Sequence, residues 1–267
     1  YYLYVTNYKN MQSRQTNREQ YFQELAITSR NYFLPYISRF YDLKPGLRVL
    51  EIGCGDGGNL LPFSELGCYV LGVDMAEVRI NDAKRFFCER KATGEFICSD
   101  IFKLNNLHNS FDIILCHDVI EHIYDKALFI KNTKLYLKDD GILFISFPAW
   151  QMPFGGHQQI CKSKILSHLP FFHLLPTNIY LKILKTFKED EHCVNELKSI
   201  KETKCPIELF EKNIEGVYKI LNRTLFFINP HYKVKFGLQP RILPNFIGRI
   251  MYFRNFFTTS TFYILKK

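Results

Sequence analysis

The sequence predicts an α/β fold, a doubly wound and mostly parallel β-sheet with helices on both faces. Three observations predict it. Short runs of β-branched and apolar residues alternate with segments whose apolar residues recur at helical spacing. The connections between these segments are short, as they are in βαβ units. Acidic residues and glycines follow the first three runs, at the strand ends where such sheets bind their ligands.

The first strand and the loop after it carry the most informative motif. Residues 48–52 form an apolar strand, and Gly53, Gly55 and Gly58 then fit the pattern G-x-G-x-x-G. Such a loop lets the backbone approach a ligand closely and directs helix N-terminal N–H groups at it. The second strand ends at Asp74, and a carboxylate there can accept hydrogen bonds from both hydroxyls of a ribose. A nucleoside-containing cofactor is therefore predicted.

The same alternation continues through the fifth strand. The fourth strand is nearly all apolar, as a strand covered on both faces must be. The predicted strands are residues 48–52, 69–74, 94–100, 111–116 and 141–147, and the predicted helices between them are residues 59–66, 76–91 and 128–137.

Changes in the pattern divide the chain into four parts. A polar arm over residues 1–17 precedes amphipathic helices that Pro35 splits, and these helices either pack on the sheet or cover the pocket as a lid. Prolines, aromatic clusters and a charged helical stretch indicate a helical insertion after strand five. Two late strands, residues 224–229 and 260–265, bring the sheet to seven. The predicted parts are residues 1–43 (arm and helices), 44–149 (cofactor-binding core), 150–222 (acceptor-binding insertion) and 223–267 (last two strands).

Composition bears on compartment, metals and partners. The eight cysteines are scattered without a C-x-x-C pair, which favours a reducing cytoplasm and predicts no structural zinc. No apolar run reaches the length of a membrane span. From residue 151 onward the chain has 18 Lys plus Arg against 8 Asp plus Glu, and no acidic residue follows Glu215. This basic half is either a solvated surface or a face for an anionic substrate, a membrane or nucleic acid.

Further acidic residues distinguish between nucleoside cofactors. Glu51 precedes the glycines, where a dinucleotide site usually has an apolar residue, and Asp100 ends the third strand. With these residues and the segment 111–123, the chain resembles the class I S-adenosylmethionine-dependent methyltransferases over residues 44–148, and is similar to their small-molecule and ubiquinone-biosynthesis types. The resemblance implies a Rossmann-like methyltransferase fold, S-adenosylmethionine as the cofactor and S-adenosylhomocysteine as its product.

The resemblance also implies which residues bind the cofactor. For Asp74 and Asp100 the alternative role is capping of the helices that follow them. For Glu51 the alternative is a salt bridge within the strand. The implied residues are Glu51, Gly53, Cys54 and Gly55 at the methionine moiety, Asp74 at the ribose, Met75, Asp100 and Ile101 at the adenine, and His117 at the end of strand four.

The segment Asp118-Val-Ile-Glu121-His122 follows the fourth strand. It resembles the acceptor side of the ubiquinone-biosynthesis methyltransferases, where these residue types can hold a divalent cation. We predict instead a capping box, with Asp118 as the N-cap and Glu121 at the third helical position, a pocket role for His122, and no bound metal. A metal here is the alternative, and it would need water or substrate oxygens as well.

The acceptor site is predicted in the loop that follows strand five. His157 is the first choice for a general base or an acceptor-orienting group, and His122 is the second. A structural role is the alternative for either histidine. Gln151, Gln158 and Gln159 either bind the acceptor or tie down the loop.

The apolar stretch of residues 166–176 is expected to be the core of the insertion, and an acceptor tunnel or membrane-touching edge is the alternative. Nucleic acid is not expected, because no RNA-binding motif is present. The predicted protein is a cytoplasmic methyltransferase that acts on a small or amphiphilic, lipid-like acceptor, at oxygen in preference to carbon or nitrogen. The alternatives are a non-catalytic cofactor-binding module whose insertion binds a partner, and an NAD-dependent oxidoreductase.

Overall fold

The computed structural model describes residues 17–267, so the arm predicted over residues 1–17 lies outside it except for its last residue. Eight strands form a single sheet in this part of the chain. In chain order they are β1 (Arg48–Ile52), β2 (Tyr69–Asp74), β3 (Glu95–Cys98), β4 (Phe111–His117), β5 (Leu137–Phe147), β6 (Lys219–Ile228), β7 (Arg241–Ile242) and β8 (Ser260–Lys266).

The strand order is β3-β2-β1-β4-β5-β8-β6-β7. The first five strands in this order pair in parallel, whereas β8 is antiparallel to both β5 and β6. The order reverses between β1 and β4, which opens a crevice at their carboxyl ends. The predicted mostly parallel, doubly wound sheet is confirmed. It has an eighth strand because the two-residue β7 pairs with the outer edge of β6.

The N-terminal helices form one continuous rod. Helix α1 (Arg18–Thr28) begins at Asn17, whose side chain accepts a hydrogen bond from the Gln20 N–H, and passes through the π-helical turn Ser29–Phe33 into α2 (Leu34–Ile37). Pro35 therefore accompanies a change of helix type rather than a break, since a π-turn accommodates the missing N–H. The other helices are α3 (Leu61–Glu65), α4 (Glu77–Glu89), α5 (Lys126–Tyr136), α6 (Lys164–His168), α7 (Thr177–Thr186), α8 (Glu191–Thr203), α9 (Ile207–Ile214), α10 (His231–Phe236) and α11 (Asn245–Gly248).

The sheet separates two apolar cores. Val49 and Leu50 are both fully buried and belong to opposite cores, because successive strand side chains point to opposite faces. The rod of α1 and α2 covers the first core, to which it contributes Phe22 and Phe33. Helix α1 also lies directly on the glycine loop, since a Cβ on Gly58 would come 2.5 Å from the Phe22 carbonyl oxygen.

The insertion consists of two structurally different parts. Helices α6 to α8 enclose a small core of their own, which includes Leu166, Phe172 and Tyr180. Helix α9 instead packs on the second core of the sheet through Phe210. The apolar stretch of residues 166–176 thus buries Leu166 and Phe172 as core residues, while Leu169 and Phe171 are exposed. No helix within residues 17–267 is long and apolar enough to cross a bilayer.

Candidate active site

The loop after β1 is built from glycines that turn the chain back towards β4. Gly53, Gly55 and Gly57 have φ angles of 71°, 50° and 82°, a region that favours glycine because it has no Cβ. A Cβ on Gly53 would lie 2.3 Å from the Cγ2 atom of Val119. The glycine loop and the loop after β4 therefore touch across the crevice between β1 and β4.

Asp74 connects the end of β2 to this loop. One carboxylate oxygen accepts the Gly55 N–H at 2.9 Å, and the other accepts the Ala76 N–H at 2.8 Å. Asp100 behaves similarly after β3, since it caps the following 3-10 turn by accepting the Phe102 N–H at 3.0 Å. Asp100 thus makes the predicted capping bond, whereas Asp74 does not cap α4, whose N-cap Ala76 has no side-chain cap. Because each carboxylate can accept about four hydrogen bonds, these bonds leave capacity for a ligand.

Glu51 is a buried acid at the base of the crevice. It is 1% exposed, and one carboxylate oxygen accepts the Asn59 side-chain N–H at 2.7 Å. The other oxygen has no hydrogen-bond partner, and no cation pairs with Glu51 within residues 17–267. The salt-bridge alternative is therefore wrong. Burial, with a smaller contribution from Asp74, raises the Glu51 pKa to about 8 against the opposing Asn59 bond.

The residues implied at the adenine end differ in exposure. Ile101 is buried and its carbonyl accepts the Tyr136 hydroxyl at 2.8 Å, whereas the Met75 side chain is 52% exposed.

Cys54, implied at the methionine moiety, is buried beside the glycine loop, and this burial raises the pKa of its thiol. The thiol is therefore neutral and acts as an apolar wall.

Asp56 is a buried ion-pair residue of the glycine loop that the sequence analysis missed. It lies fully buried inside the glycine loop and pairs with Arg18 of α1 and, at 3.5 Å, with Arg79 of α4. The Arg18 guanidinium also lies 4.7 Å above the Tyr21 ring. These contacts fasten α1 to the loop. The two arginines are 38 and 23 residues away in the chain, so no local pattern could reveal the pairing.

The end of β4 carries His117 and Asp118. The His117 Nε2 atom lies 3.4 Å from an Asp118 carboxylate oxygen, and its buried Nδ1 has no partner within residues 17–267. Two further tyrosines that the sequence analysis missed lie within the field of Asp118. Burial raises the pKa of Tyr21 to about 12, and the negative charge of Asp118 is the second cause. The same two causes, in the same order, raise the pKa of Tyr232.

The capping box predicted for this segment is wrong. Asp118 has a φ of 54°, and only the three-residue 3-10 turn Ile120–His122 follows, without a side-chain cap. The Glu121 carboxylate is 4% exposed, and neither of its oxygens has a hydrogen-bond partner within residues 17–267. Burial, with the nearby Asp118 charge, raises its pKa. The local motif fails because the tertiary fold buries the carboxylate instead of returning it to the backbone.

The two candidate catalytic histidines are neighbours in the structure. The rings of His122 and His157 lie 5.1 Å apart at an angle of 74°. Desolvation by surrounding protein lowers the pKa of both, and repulsion from His157 adds to the effect on His122. By surface area His122 is nevertheless exposed and His157 half-buried, so desolvation applies more securely to His157. Both imidazoles are therefore neutral near pH 7, and each can accept a proton.

The loop that carries His157 is held rigidly. Gln158 is fully buried and donates to the carbonyls of Pro153 and Leu169 at 2.9 and 3.1 Å, so it ties down the loop. His173, which the sequence analysis did not select, lies beneath: its Nε2 contacts the Trp150 carbonyl oxygen at 2.8 Å. A Cβ on Gly156 would lie 2.1 Å from the His173 Cβ. His157 itself adopts a φ of 56° at this close approach.

The geometry agrees with comparisons to known proteins. Residues 50–145 match the family model described as a methyltransferase domain. Over these residues the chain is similar to the methyltransferase-domain family. The predicted family resemblance is therefore confirmed, and the crevice between β1 and β4 lies within the methyltransferase domain.

Curated relatives match the same part of the chain. The ubiquinone biosynthesis O-methyltransferase of Bartonella tribocorum is 34% identical over 121 residues, which cover 43% of this chain and 49% of the relative. The enzyme of the same name from Coxiella burnetii is 37% identical over 113 residues, or 42% and 48% of the two chains. The chain thus spans about half the length of the curated relatives it matches.

Solved structures extend the similarity beyond the methyltransferase domain. Magnesium protoporphyrin IX methyltransferase from Synechocystis PCC 6803, with bound SAH, has a TM-score of 0.53 and 15% identity over 100% of this chain and 90% of its own. A TehB-like SAM-dependent methyltransferase from Corynebacterium glutamicum has a TM-score of 0.53 and 16% identity over 96% and 98% of the two chains. At these identities the similarity establishes the fold.

Glu51 makes stability depend on pH. It keeps its proton up to pH about 8 when folded but ionises near 4.5 when unfolded. Protonated Glu51 therefore contributes its full stabilisation below pH 4.5, and this contribution is lost as the pH rises through 8. Between these pH values the free energy of unfolding falls by at most about 1.4 kcal/mol per pH unit. We expect Glu51→Gln to be more stable than wild type at pH 9, with the difference shrinking towards pH 5, in urea unfolding. The exposed control Glu95→Gln should follow wild type; parallel profiles for Glu51→Gln and wild type would show that Glu51 is ionised when folded.

Proposed function

We propose that the protein is an S-adenosylmethionine-dependent methyltransferase that methylates a small or lipid-like acceptor at oxygen. The observation that carries this proposal is the convergence of the glycine loop, Asp74 and buried Glu51 on one side of the crevice with the His122 and His157 pair. The curated relatives named ubiquinone biosynthesis O-methyltransferase support oxygen as the acceptor atom. A binding module and an NAD-dependent oxidoreductase are less favoured, because the matched family is a methyltransferase domain.

The residues around the crevice fit the chemical groups of this cofactor. S-adenosylmethionine would supply an electrophilic methyl group on a positively charged sulfur. Asp74 would accept from the ribose hydroxyls and Asp100 from the adenine amino group, while Ile101 would cover the ring. Glu51 has an unpartnered buried oxygen that suits an ammonium group. A nearby cation favours the charged form of a carboxyl group, so cofactor binding would ionise Glu51.

His157 would act as the general base. Methyl transfer to a hydroxyl needs the acceptor oxygen aligned with the methyl group and its proton removed. His157 is neutral, and the Asp118 charge favours its protonated form against the larger effect of desolvation. It can therefore receive the hydroxyl proton and keep it briefly beside a counter-charge. His122 lies against it and would orient the acceptor or the His157 ring.

The same histidines could also hold a metal. Glu121, His122 and His157 each offer one ligand atom, and these atoms lie within 4.8 Å of one another. The orphaned buried oxygens of Glu121 fit a cation, and one carboxylate with two imidazoles suits zinc or a first-row transition metal better than Mg²⁺. Such an ion would lower the pKa of an acceptor hydroxyl that it bound.

We further propose that the acceptor is amphiphilic and is reached at a membrane surface. The face that supports this is not the stretch of residues 166–176, much of which is buried. It is the C-terminal face, the exposed side chains of residues 241–253. Its apolar members are Ile242, Phe246, Ile250, Met251, Tyr252 and Phe253, which are 63%, 72%, 50%, 58%, 63% and 48% exposed.

The charge of the C-terminal face suits an anionic bilayer. Arg241 and Arg249 are exposed within it, and no acidic residue follows Glu215. Exposed apolar and basic side chains together bind anionic lipid surfaces. Two copies of this face would bring like charges together. Buried Arg254 pairs with Glu208 at 3.0 Å and Glu211 at 2.7 Å, and so anchors the segment to α9.

Cofactor binding tests the core of the proposal. We expect isothermal titration calorimetry to detect S-adenosylhomocysteine binding to the wild-type protein. Asp74→Ala should abolish this binding, because it removes the ribose acceptor and the bond to the Gly55 N–H. Asp140→Ala, whose side chain is 94% exposed, is the matched control and should bind as wild type does. No binding by wild type, or unaltered binding by Asp74→Ala, would contradict the proposal.

The role of His157 is tested separately from binding. His157→Asn tolerates the left-handed backbone and should lower kcat about 10²- to 10⁴-fold, the usual contribution of a general base. S-adenosylhomocysteine affinity should not change. The assay uses catechols and phenols with alkyl tails, and the wild-type rate should fall at acid pH as His157 becomes protonated. The exposed His192→Asn serves as the control. If the rate of His157→Asn still fell at acid pH as the wild-type rate does, a residue other than His157 would be the general base.

The C-terminal face is tested with vesicles. Wild-type protein should sediment with vesicles of phosphatidylglycerol and phosphatidylcholine, more weakly as salt increases, and hardly at all with phosphatidylcholine alone. Phe246→Ser with Ile250→Ser should weaken sedimentation, because each change removes buried apolar area in the bilayer. Leu128→Ser, at a residue that is 47% exposed on α5, is the matched control. Dimerisation through the face, or equal sedimentation by all variants, would refute membrane contact.

A further inference from the structure

A second group of potential ligands lies in the insertion, away from the crevice. Cys161, Glu189 and Cys193 each offer one ligand atom, and these three atoms lie within 4.8 Å of one another. The residues are only 5%, 8% and 5% exposed. They belong to different elements: Cys161 follows the 3-10 turn Gln158–Ile160, Glu189 lies in the loop before α8, and Cys193 lies in the first turn of α8.

Backbone hydrogen bonds hold these side chains in place. The two Glu189 oxygens accept the N–H groups of Lys162 and Ser163 at 2.8 and 2.9 Å, directly after Cys161. The Cys193 N–H donates to the Asp190 side chain at 2.7 Å, the N-cap bond of α8. Metal sites commonly orient their carboxylate ligands by such outer hydrogen bonds. None of these bonds uses a thiol sulfur. The two thiols interact with each other, since the Cys161 side chain hydrogen-bonds the Cys193 side chain, and this brings both sulfurs together beside Glu189.

Glu189 has no ion-pair partner of its own among residues 17–267. The nearest cation is Lys162, whose charge interacts with Glu189 but which forms its ion pair with Asp190. The Tyr180 hydroxyl is buried in the same small core and has no hydrogen-bond partner in the described chain. A buried acid between two thiols in an apolar core is costly unless a cation compensates it.

We infer that Cys161, Glu189 and Cys193 bind a zinc ion. Two thiolates and a carboxylate are ligands that zinc prefers, and a tetrahedral site would place their ligand atoms roughly 3.5–3.8 Å apart, which the present spacing allows. A water molecule would take the fourth position. On binding, each thiol would release its proton to solvent as its Zn–S bond forms, without electron transfer.

Zinc here would support the acceptor side of the crevice. Cys161 lies four residues after His157 and three after the buried Gln158. The ion would therefore clamp the end of the His157 loop to the N-terminus of α8. The inference does not depend on the proposed function, because the ligands belong to the insertion and the measurement is metal content.

The test uses the full chain, purified without a polyhistidine tag, loaded with zinc and then gel-filtered. Plasma mass spectrometry should find at least one retained zinc per chain, and one fewer in Cys161→Ser and Cys193→Ser than in wild type. Cys161→Ser and Cys193→Ser should each lower the zinc affinity by about 10- to 100-fold or more. The exposed cysteines provide matched controls, since Cys88→Ser and Cys98→Ser should leave the zinc content unchanged. His122→Asn should also keep its zinc, which separates this site from the histidine cluster.

A second measurement covers variants that fail to fold. Thiol modification of wild-type protein with a mercurial reagent should release zinc, detected with a chromogenic chelator, in step with the loss of buried thiols. Zinc-free protein with all eight thiols titratable would overturn the inference, because the cysteines would then be ordinary core residues. Six titratable thiols without zinc would also overturn it, in favour of a disulfide. Loss of zinc in His122→Asn, but not in Cys193→Ser, would place the ion elsewhere.

Discussion

The close contact of Gly53 with Val119 determines the rest of the site. It is available only to glycine, because a Cβ would come 2.3 Å from the valine methyl group. The contact joins the loops after β1 and β4, where the strand order reverses. It thereby places the glycine loop, which Asp74 hydrogen-bonds, against the loop that carries Asp118, Glu121 and His122. A larger side chain at position 53 would separate these two loops.

Burial then determines the charges at this junction. Glu51 and Glu121 are both buried with unpartnered carboxylate oxygens, and desolvation raises the pKa of both. The neighbouring histidines experience the same desolvation, which lowers their pKa. The protein alone therefore favours neutral acids beside neutral bases. The unpartnered oxygens of Glu51 and Glu121 are costly to bury, and a cationic ligand beside them would favour their charged forms.

Much of the fold could be predicted from the sequence, because strands covered on both faces are long apolar runs and the binding edge follows from topology. The carboxyl-end acids Asp74 and Asp100 were found in this way. The predictions that were wrong or missing depended on contacts between residues that are far apart in the chain. The capping box at Asp118 was a sound local pattern, but the tertiary fold buried Glu121. Asp56 was missed because its arginine partners lie far away in the chain, and β7 because two residues carry no pattern.

Helices α1 and α10, which are far apart in the chain, meet beside Asp118, so the role of neither helix could be interpreted from its own sequence. Thr28 of α1 hydrogen-bonds His231 at the start of α10 at 2.8 Å, and Tyr21 contacts the same imidazole edge to face. Tyr21 and Tyr232 both lie in the field of Asp118. Because Asp56 fixes α1 through Arg18, movement of α1 would disturb the cofactor loop and Asp118 together. The glycine loop and the Asp118 charge, which favours the protonated form of His157, therefore both depend on the position of α1.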